Sequence, residues 1–369
     1  MSTTTAPAAG TSDGVDDGLP GGLVALAKAH AQATSHEPLT TPVPVPLSGE
    51  GGTPIRLSRR ESELVEAAYE IETSDAAAAG EIGYAARIWT QLALPYSDPG
   101  AVPRWERRNG AITLIMRPAT ILGPDGQSED GYPFGVLPRY LLSWMATEAV
   151  RTQNPCLDLG GSFNEFMGRL GLGHNGRDAG RLKNQIYRLV GATMQIQEVH
   201  REGDGHRVGG QNFSVAESFD LWLPGRGDIS DDQGALWSNT VTLSPQFYRS
   251  IVQTPVPVDL RALRALKGAP MRLDIYTWLT HRMSYLSRST LVPWSALEVQ
   301  FGGQFARRRK FKETFVKNLA AVSALYPAAN VHVEDAGLRL FPSAPHVSTR
   351  AARALAGGDP TATGSRPKR

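Results

Sequence analysis

The sequence predicts an α+β chain, mainly helical, built as two tandem winged-helix units between disordered ends, each unit a helix-turn-helix plus a β-hairpin. Three observations predict it. Apolar residues recur at helical spacing on both sides of two short polar turns. Each helix pair is followed by two short β-rich runs. The second half then repeats the order of the first at an offset of about 131 residues, a repeat of architecture rather than of residues.

Composition sets the outer bounds. A chain of 369 residues with 41% hydrophobic content supports two or three folded domains. No apolar run approaches the roughly 20 residues a membrane-spanning helix needs, and the first residues lack the basic start and apolar stretch of a secretory leader. One cysteine, Cys156, supplies neither an internal disulfide nor a Cys-rich zinc site, so a reducing cytoplasm is the expected compartment. The net charge of +2 excludes a uniformly basic coating protein, but its distribution is uneven. Residues 1–55 carry five acids against one lysine, while 347–369 carry five bases against Asp359.

The elements follow in order. Residues 1–55 contain no Phe, Tyr or Trp and are rich in Gly, Pro, Ala and Thr, a composition too poor in apolar surface to offset its ordering entropy. A short helix over Leu23–Ala31 is the one feature expected there. From Arg59 to about Leu94, Leu64, Ala68 and Ile71 and then Ile82, Ala86 and Trp89 recur at helical spacing, which predicts two amphipathic helices. Ala111–Met116 is a β-rich run after the turn signal Asn109–Gly110. Val136–Val150 reads as a buried helix that tolerates Pro138 in its first turn, and Leu157–Leu159 as a short strand. Ser162 caps the helix Phe163–Leu170, which Gly171 ends. A longer helix over about Arg177–Val190 precedes two strands, Thr193–Val199 and Asn212–Trp222. A polar linker follows. The pattern then restarts with a strand Asn239–Leu243, a Ser244-capped helix Pro245–Ile251 and extended backbone at Pro255–Pro257. Helix Pro270–Leu286, strand Leu291–Val292, helices Trp294–Phe301 and Ala306–Leu325, and a hairpin of Val331–Glu334 with Gly337–Phe341 complete it. The expected organisation is a disordered segment 1–55, a helical and β lead-in 56–134 packed on the first unit, a first winged helix 135–223, a linker 224–236, a second winged helix 237–347 and a basic disordered tail 348–369.

In a helix-turn-helix the second helix enters the major groove, so it needs one apolar face for its own domain and another of hydrogen-bond donors. Both second helices satisfy this. In the first, Leu182, Ile186, Leu189 and Val190 form the core face. Arg181, Asn184, Gln185 and Arg188 form a stripe on another, with Arg177 and Lys183 nearby. Arginine reads guanine bidentately, and Asn or Gln reads adenine. In the second, Phe311, Phe315, Leu319 and Val322 face the core. Arg307, Lys310, Thr314 and Lys317 face outward, flanked by Arg308, Arg309 and Lys312. Such a cluster neutralises phosphates and releases counterions. A charge run alone is more often a solvated face, but both clusters fall on the helix that the fold inserts into DNA, and the first helices of the two pairs lack them. His200, Arg201, His206 and Arg207 in the first hairpin fit a wing touching DNA and an exposed turn equally well.

Catalytic, cofactor and metal patterns are missing. Gly171–Gly176 spells G-x-G-x-x-G, but a helix precedes it where the dinucleotide fingerprint needs a strand. There is no phosphate-binding P-loop. The eight histidines form neither an H-x-H pair nor H-E-x-x-H, which argues against a metal-dependent nickase. His281 reads as a satisfied core residue. No catalytic residue, cofactor or metal is expected.

From about Arg59 to Val347 the chain resembles the plasmid-encoded RepA replication proteins. The likeness is carried by ALPYSDPG with WERRNG (93–100, 105–110), YLLSWMATEAVRT (140–152), FNEFMGRLGL (163–172), PVPVDLRALRALKGAPMRLDIYTWL (255–279), WSALEVQFG (294–302) and YPAA with GLRLFPSAPHV (326–329, 337–347). The resemblance implies initiation of plasmid replication through repeated double-stranded origin sites and recruitment of host replication factors. Family initiators of tandem winged-helix design often alternate between an origin-binding monomer and a self-repressing homodimer. No membrane partner is implied. A transcriptional or partition regulator with the same DNA-binding folds is the alternative, and a nuclease is the rival from the enzyme class.

Overall fold

The computed structural model describes residues 58–123, 126–173, 176–221, 239–303 and 305–348. The expected helix at Leu23–Ala31, the disordered reading of 1–55, the linker 224–236 and all but the first residue of the tail 348–369 lie outside them. Among the described residues the fold is mixed α+β, with small antiparallel sheets and ten helices.

The chain opens with α1 (Arg59–Thr73), whose start is fixed by a capping box. Ser58 accepts from the Glu61 N–H, and Glu61 accepts from the Ser58 N–H. Strand β1 (Ile82–Ala86) and the short α2 (Arg87–Gln91) follow. Strands β2 (Trp105–Asn109) and β3 (Ile112–Arg117) pair across a tight turn in which Gly110 takes φ 58°. A small hairpin of β4 (Ala119–Leu122) and β5 (Ser128–Gly131) leads to α3 (Val136–Thr152), buried along most of its length. Then come β6 (Cys156–Asp158), α4 (Phe163–Arg169) and α5 (Gly176–Gly191). Strands β7 (Thr193–Glu202) and β8 (Gly205–Ser214) form a long hairpin, and β9 (Ala216–Asp220) continues from it. As expected, the Ser162 hydroxyl caps α4 by accepting from the Glu165 N–H at 3.1 Å.

The rest of the chain runs β10 (Thr240–Leu243), α6 (Pro245–Gln253), β11 (Pro255–Asp259), α7 (Leu260–Ala265), α8 (Pro270–Met283), β12 (Thr290–Pro293), α9 (Trp294–Phe301), α10 (Arg308–Leu325), β13 (Val331–Val333) and β14 (Gly337–Leu340). The last sheet has the order β12-β14-β13, so the short strand before the helix pair joins the hairpin after it.

The structure departs from expectation in several places. Ile82–Ala86 is a strand rather than a helix. It pairs with β11 and is buried throughout, so burial on both sides overrides a spacing equally compatible with helix. The short strand β6 does not join the β7–β8 hairpin but pairs with β10, which in turn pairs with β9. Residues 240–253, read from sequence as the opening of the second half, therefore pack with the first half. Phe247 and Ile251 lie in its apolar cluster with Leu141, Phe166 and Leu182.

Two apolar clusters result, one around α3, α4, α5 and the β2-β3-β7-β8 sheet and one around α8, α9 and α10. They meet where α3 crosses α8. There Arg139 Nε and Nη2 donate to the Asp274 carboxylate at 2.7 Å each, with both side chains under a tenth exposed. Nη1 also donates to the Gly135 carbonyl at 2.6 Å, and Nη2 to that of Leu94 at 2.9 Å.

Two imidazoles are held in the neutral form, His281 buried and His346 partly buried. His281 Nδ1 contacts the Thr90 hydroxyl at 3.1 Å, and desolvation with Arg87 and Arg282 nearby pushes it down to about 4. His346 Nδ1 meets the Tyr276 hydroxyl at 2.7 Å. Desolvation also lowers it to about 4, against an opposing pull from Asp259 and with Arg261 reinforcing. In the unfolded chain both titrate near the ordinary value of 6.5. Their contribution to stability is therefore complete above pH 6.5 and is lost as pH falls from 6.5 to 4. Melting curves across that window should show a decline that a His281→Gln, His346→Gln double variant flattens.

Candidate nucleic-acid interface

Helix α5 owes its orientation to an apolar face. Leu182, Ile186, Leu189 and Val190 are at most 3% exposed. Its N-terminal half presents the opposite character. Arg177 and Arg181 are exposed, while Lys183 and Asn184 are half-buried. Arg181 has only a loose ion pair, 3.8 Å to Asp178 one turn back. This leaves its guanidinium available to a base edge or phosphate.

The C-terminal half of the predicted stripe does something else. Gln185 is buried, and its Oε1 accepts from the Phe134 N–H at 2.9 Å. Arg188 is 7% exposed; its Nη1 donates to Asp98 at 2.8 Å and its Nη2 to Glu129 at 3.3 Å. The guanidinium also stacks 5.4 Å from the centre of the Phe134 ring. Partial burial pulls the Asp98 carboxyl up, but the hydrogen bond from Arg188, helped by the Gly100 N–H, carries it below the usual carboxylate range. A Cβ at Gly131 would stand 2.7 Å from Arg188, so glycine is required there for the arginine to lie flat. Gln185 and Arg188 are thus corrected from base-reading candidates to bolts that fix α5 to residues 98–134. The stripe is one face by angle, but the β4–β5 hairpin and the following loop cover its second half. Nothing in helical periodicity marks such a cover.

Helix α10 matches its predicted faces more closely. Phe311 and Phe315 are fully buried, with rings from Trp294 and Phe301 packed edge-on or tilted against Phe315. Asn318 Oδ1 accepts from Arg272 Nε at 3.1 Å, which ties α10 to α8. Arg307, Arg308, Arg309, Lys310 and Lys317 are all exposed; Lys312 and Thr314 are half-buried. The Lys312 ammonium sits 5.1 Å from the Trp294 ring centre. Arg308 pairs with Glu298 at 2.7 Å and Arg309 with Glu313 at 2.9 Å, while Lys310 reaches Glu313 only at 3.8 Å. Ion pairs this exposed contribute little and are readily exchanged for phosphate.

The third component is the β7–β8 hairpin. Its neighbour β3 ends its pairing at Glu198, yet the hairpin continues to Glu202 and returns from Gly205. His200 lies across from Arg207 and Arg201 across from His206, all four exposed. Sequence reasoning split this region into two shorter strands around a long Gly-rich turn. Gly205, Gly209 and Gly210 lie in the ladder and Gly203 turns the tip with φ 59°, so the ladder runs almost to the tip.

Among the described residues no group of three His, Cys, Asp or Glu side chains could hold a metal ion, and no helix is long and apolar enough to cross a membrane. The G-x-G-x-x-G run falls between α4 and α5, with no strand before it.

Comparison with known proteins adds a family. Residues 132–294 match the family described as plasmid encoded RepA protein, a span from just before α3 to the first residue of α9. It contains α5 and the long hairpin but stops short of α10. Two solved structures of domains 2 and 3 of RctB are similar in fold. One is 12% identical with a TM-score of 0.45, covering 70% of this chain and 96% of its own. The other is 11% identical with a TM-score of 0.42, covering 70% and 97%. No curated protein sequence matches.

Proposed function

With residues 132–294 carrying the plasmid-encoded RepA family match, we propose that the chain is a replication initiator that binds repeated double-stranded sites in a plasmid origin. In this reading each half is a winged helix, α5 and α10 are the two major-groove helices, and the β7–β8 hairpin is a wing. The observation that carries it is the exposure of Arg177, Arg181 and Arg307–Lys310 at the N-terminal ends of those two helices, where a helix-turn-helix places its base contacts. The protein works without catalysis of its own in the cytoplasm, recruits host replication factors, and pairs with a second copy in a self-repressing form.

Binding isotherms test the assignment of roles. Arg181→Ala should cost roughly 1–3 kcal/mol on cognate DNA and much less on random duplex. Lys310→Ala should weaken both DNAs alike and lower the salt slope by about one. Equal loss on both DNAs for Arg181→Ala would remove that arginine from base readout. An unstable plasmid lacking its own replicon should persist in a suitable host when given this gene and its flanking DNA. Failure to persist would favour a transcriptional or partition regulator.

A further inference from the structure

The start of the folded region lies beside the basic helix α10. α1 packs on α10, and its Leu64 and Ala68 share an apolar cluster with Leu319 and Val322. The capping box at Ser58 fixes where the preceding chain enters. Hydrogen bonds from the Ser58 N–H and hydroxyl hold the Glu61 carboxyl below the usual range, and Lys317 on α10 adds to the effect. The chain before Ser58 therefore enters near the end of the outward stripe Arg307, Lys310, Thr314 and Lys317.

The charges of the two parts are opposite and similar in size. Residues 1–55 carry Asp13, Asp16, Asp17, Glu37 and Glu50 against Lys28, a net −4. On and around α10, Arg307, Arg308, Arg309, Lys310, Lys312 and Lys317 face Glu298 and Glu313, a net +4. Residues 1–55 are long enough to reach well beyond the roughly 27 Å length of α10. Tethering at Ser58 keeps the acids near the helix at an effective concentration on the order of millimolar.

We propose that the acidic segment 1–55 lies across the basic face of α10 in the free protein and competes there with the phosphates of DNA. This inference rests on the reading of α10 as a DNA-binding helix. Its consequence is a threshold common to all DNA: any duplex that uses α10 must displace the segment, and a cognate site read through α5 retains enough affinity to do so.

Two readouts on the full chain test it. Zero-length carbodiimide coupling followed by mass spectrometry should join Asp13, Asp16, Asp17, Glu37 or Glu50 to Lys310, Lys312 or Lys317, and duplex DNA should suppress these links. Neutralising the five acids (Asp→Asn, Glu→Gln) should tighten binding to random duplex about three- to tenfold at low salt, with the difference closing as salt rises. Absence of links to α10, or unchanged affinity in the neutralised chain, would overturn the proposal. Adding Lys310→Ala to both chains separates the two claims. If that substitution leaves DNA affinity unaltered in both, the DNA-binding reading of α10 fails, while the links still report whether the segment docks.

Discussion

Asp274→Ala is expected to destabilise the protein by about 3–5 kcal/mol, because it strands buried charge rather than merely removing an interaction. Asp274 is the acceptor for Arg139 at the crossing of α3 and α8. A second guanidinium, Arg107, is 3% exposed in the same region, with its Nε lacking a hydrogen-bond partner among the described residues. Arg107 lies near the Tyr96 and Trp105 rings, and Arg139 is 5.2 Å from the centre of the same Tyr96 ring. Without the carboxylate, two positive charges would share an apolar site between the two halves. Urea denaturation followed by circular dichroism gives the loss directly. The paired replacement Arg139→Met, Asp274→Leu should recover most of it, since removing both partners leaves no orphaned charge. A loss below about 1 kcal/mol for Asp274→Ala would mean that the pair is solvated and that the halves are not joined through it.

Arg188→Ala is expected to cost about 2–4 kcal/mol, from the combined loss of a buried hydrogen-bonded side chain and the space it leaves. Its partners Asp98 and Glu129 are themselves partly exposed, so their stranded charges add little. The contrast with Arg181 is the informative part. Arg181→Ala should leave the unfolding curve unchanged and impair cognate binding. Arg188→Ala should shift the unfolding curve and weaken cognate and random DNA together, because it loosens the helix instead of removing a contact. If Arg188→Ala were thermally silent but selectively blind to the cognate site, Arg188 would return to the base-reading set.

The difference between these two arginines also marks how far the sequence was legible. Periodicity and apolar runs located α3, α4, α5, α9 and α10 to within a few residues, with Ser162 marking the start of α4. The core faces of both candidate helices followed from the same signal, and Leu182, Ile186, Phe311 and Phe315 are buried as that spacing requires. Long-range pairing was not legible. That β6 joins β10 across a linker, or that β1 pairs with Pro255–Asp259, depends on residues far apart in the chain. For the same reason Gln185 and Arg188 looked free: their cover comes from residues 98–134, and only the acids Asp98 and Glu129 hinted at a partner. The short hairpin β4–β5 was not legible, because Ala119–Leu122 is too short a β-favouring run to stand out and Ser128–Gly131 carries none.

In the proposed function the exposed basic ends of α5 and α10 read repeated sites in duplex DNA. Footprinting of the purified protein on the DNA flanking its own gene tests this most directly. Several regularly spaced protected sites of common sequence are expected, lost with Arg181→Ala at protein concentrations that saturate the unaltered chain. Protection of a single palindrome, or of no site at all, would contradict it.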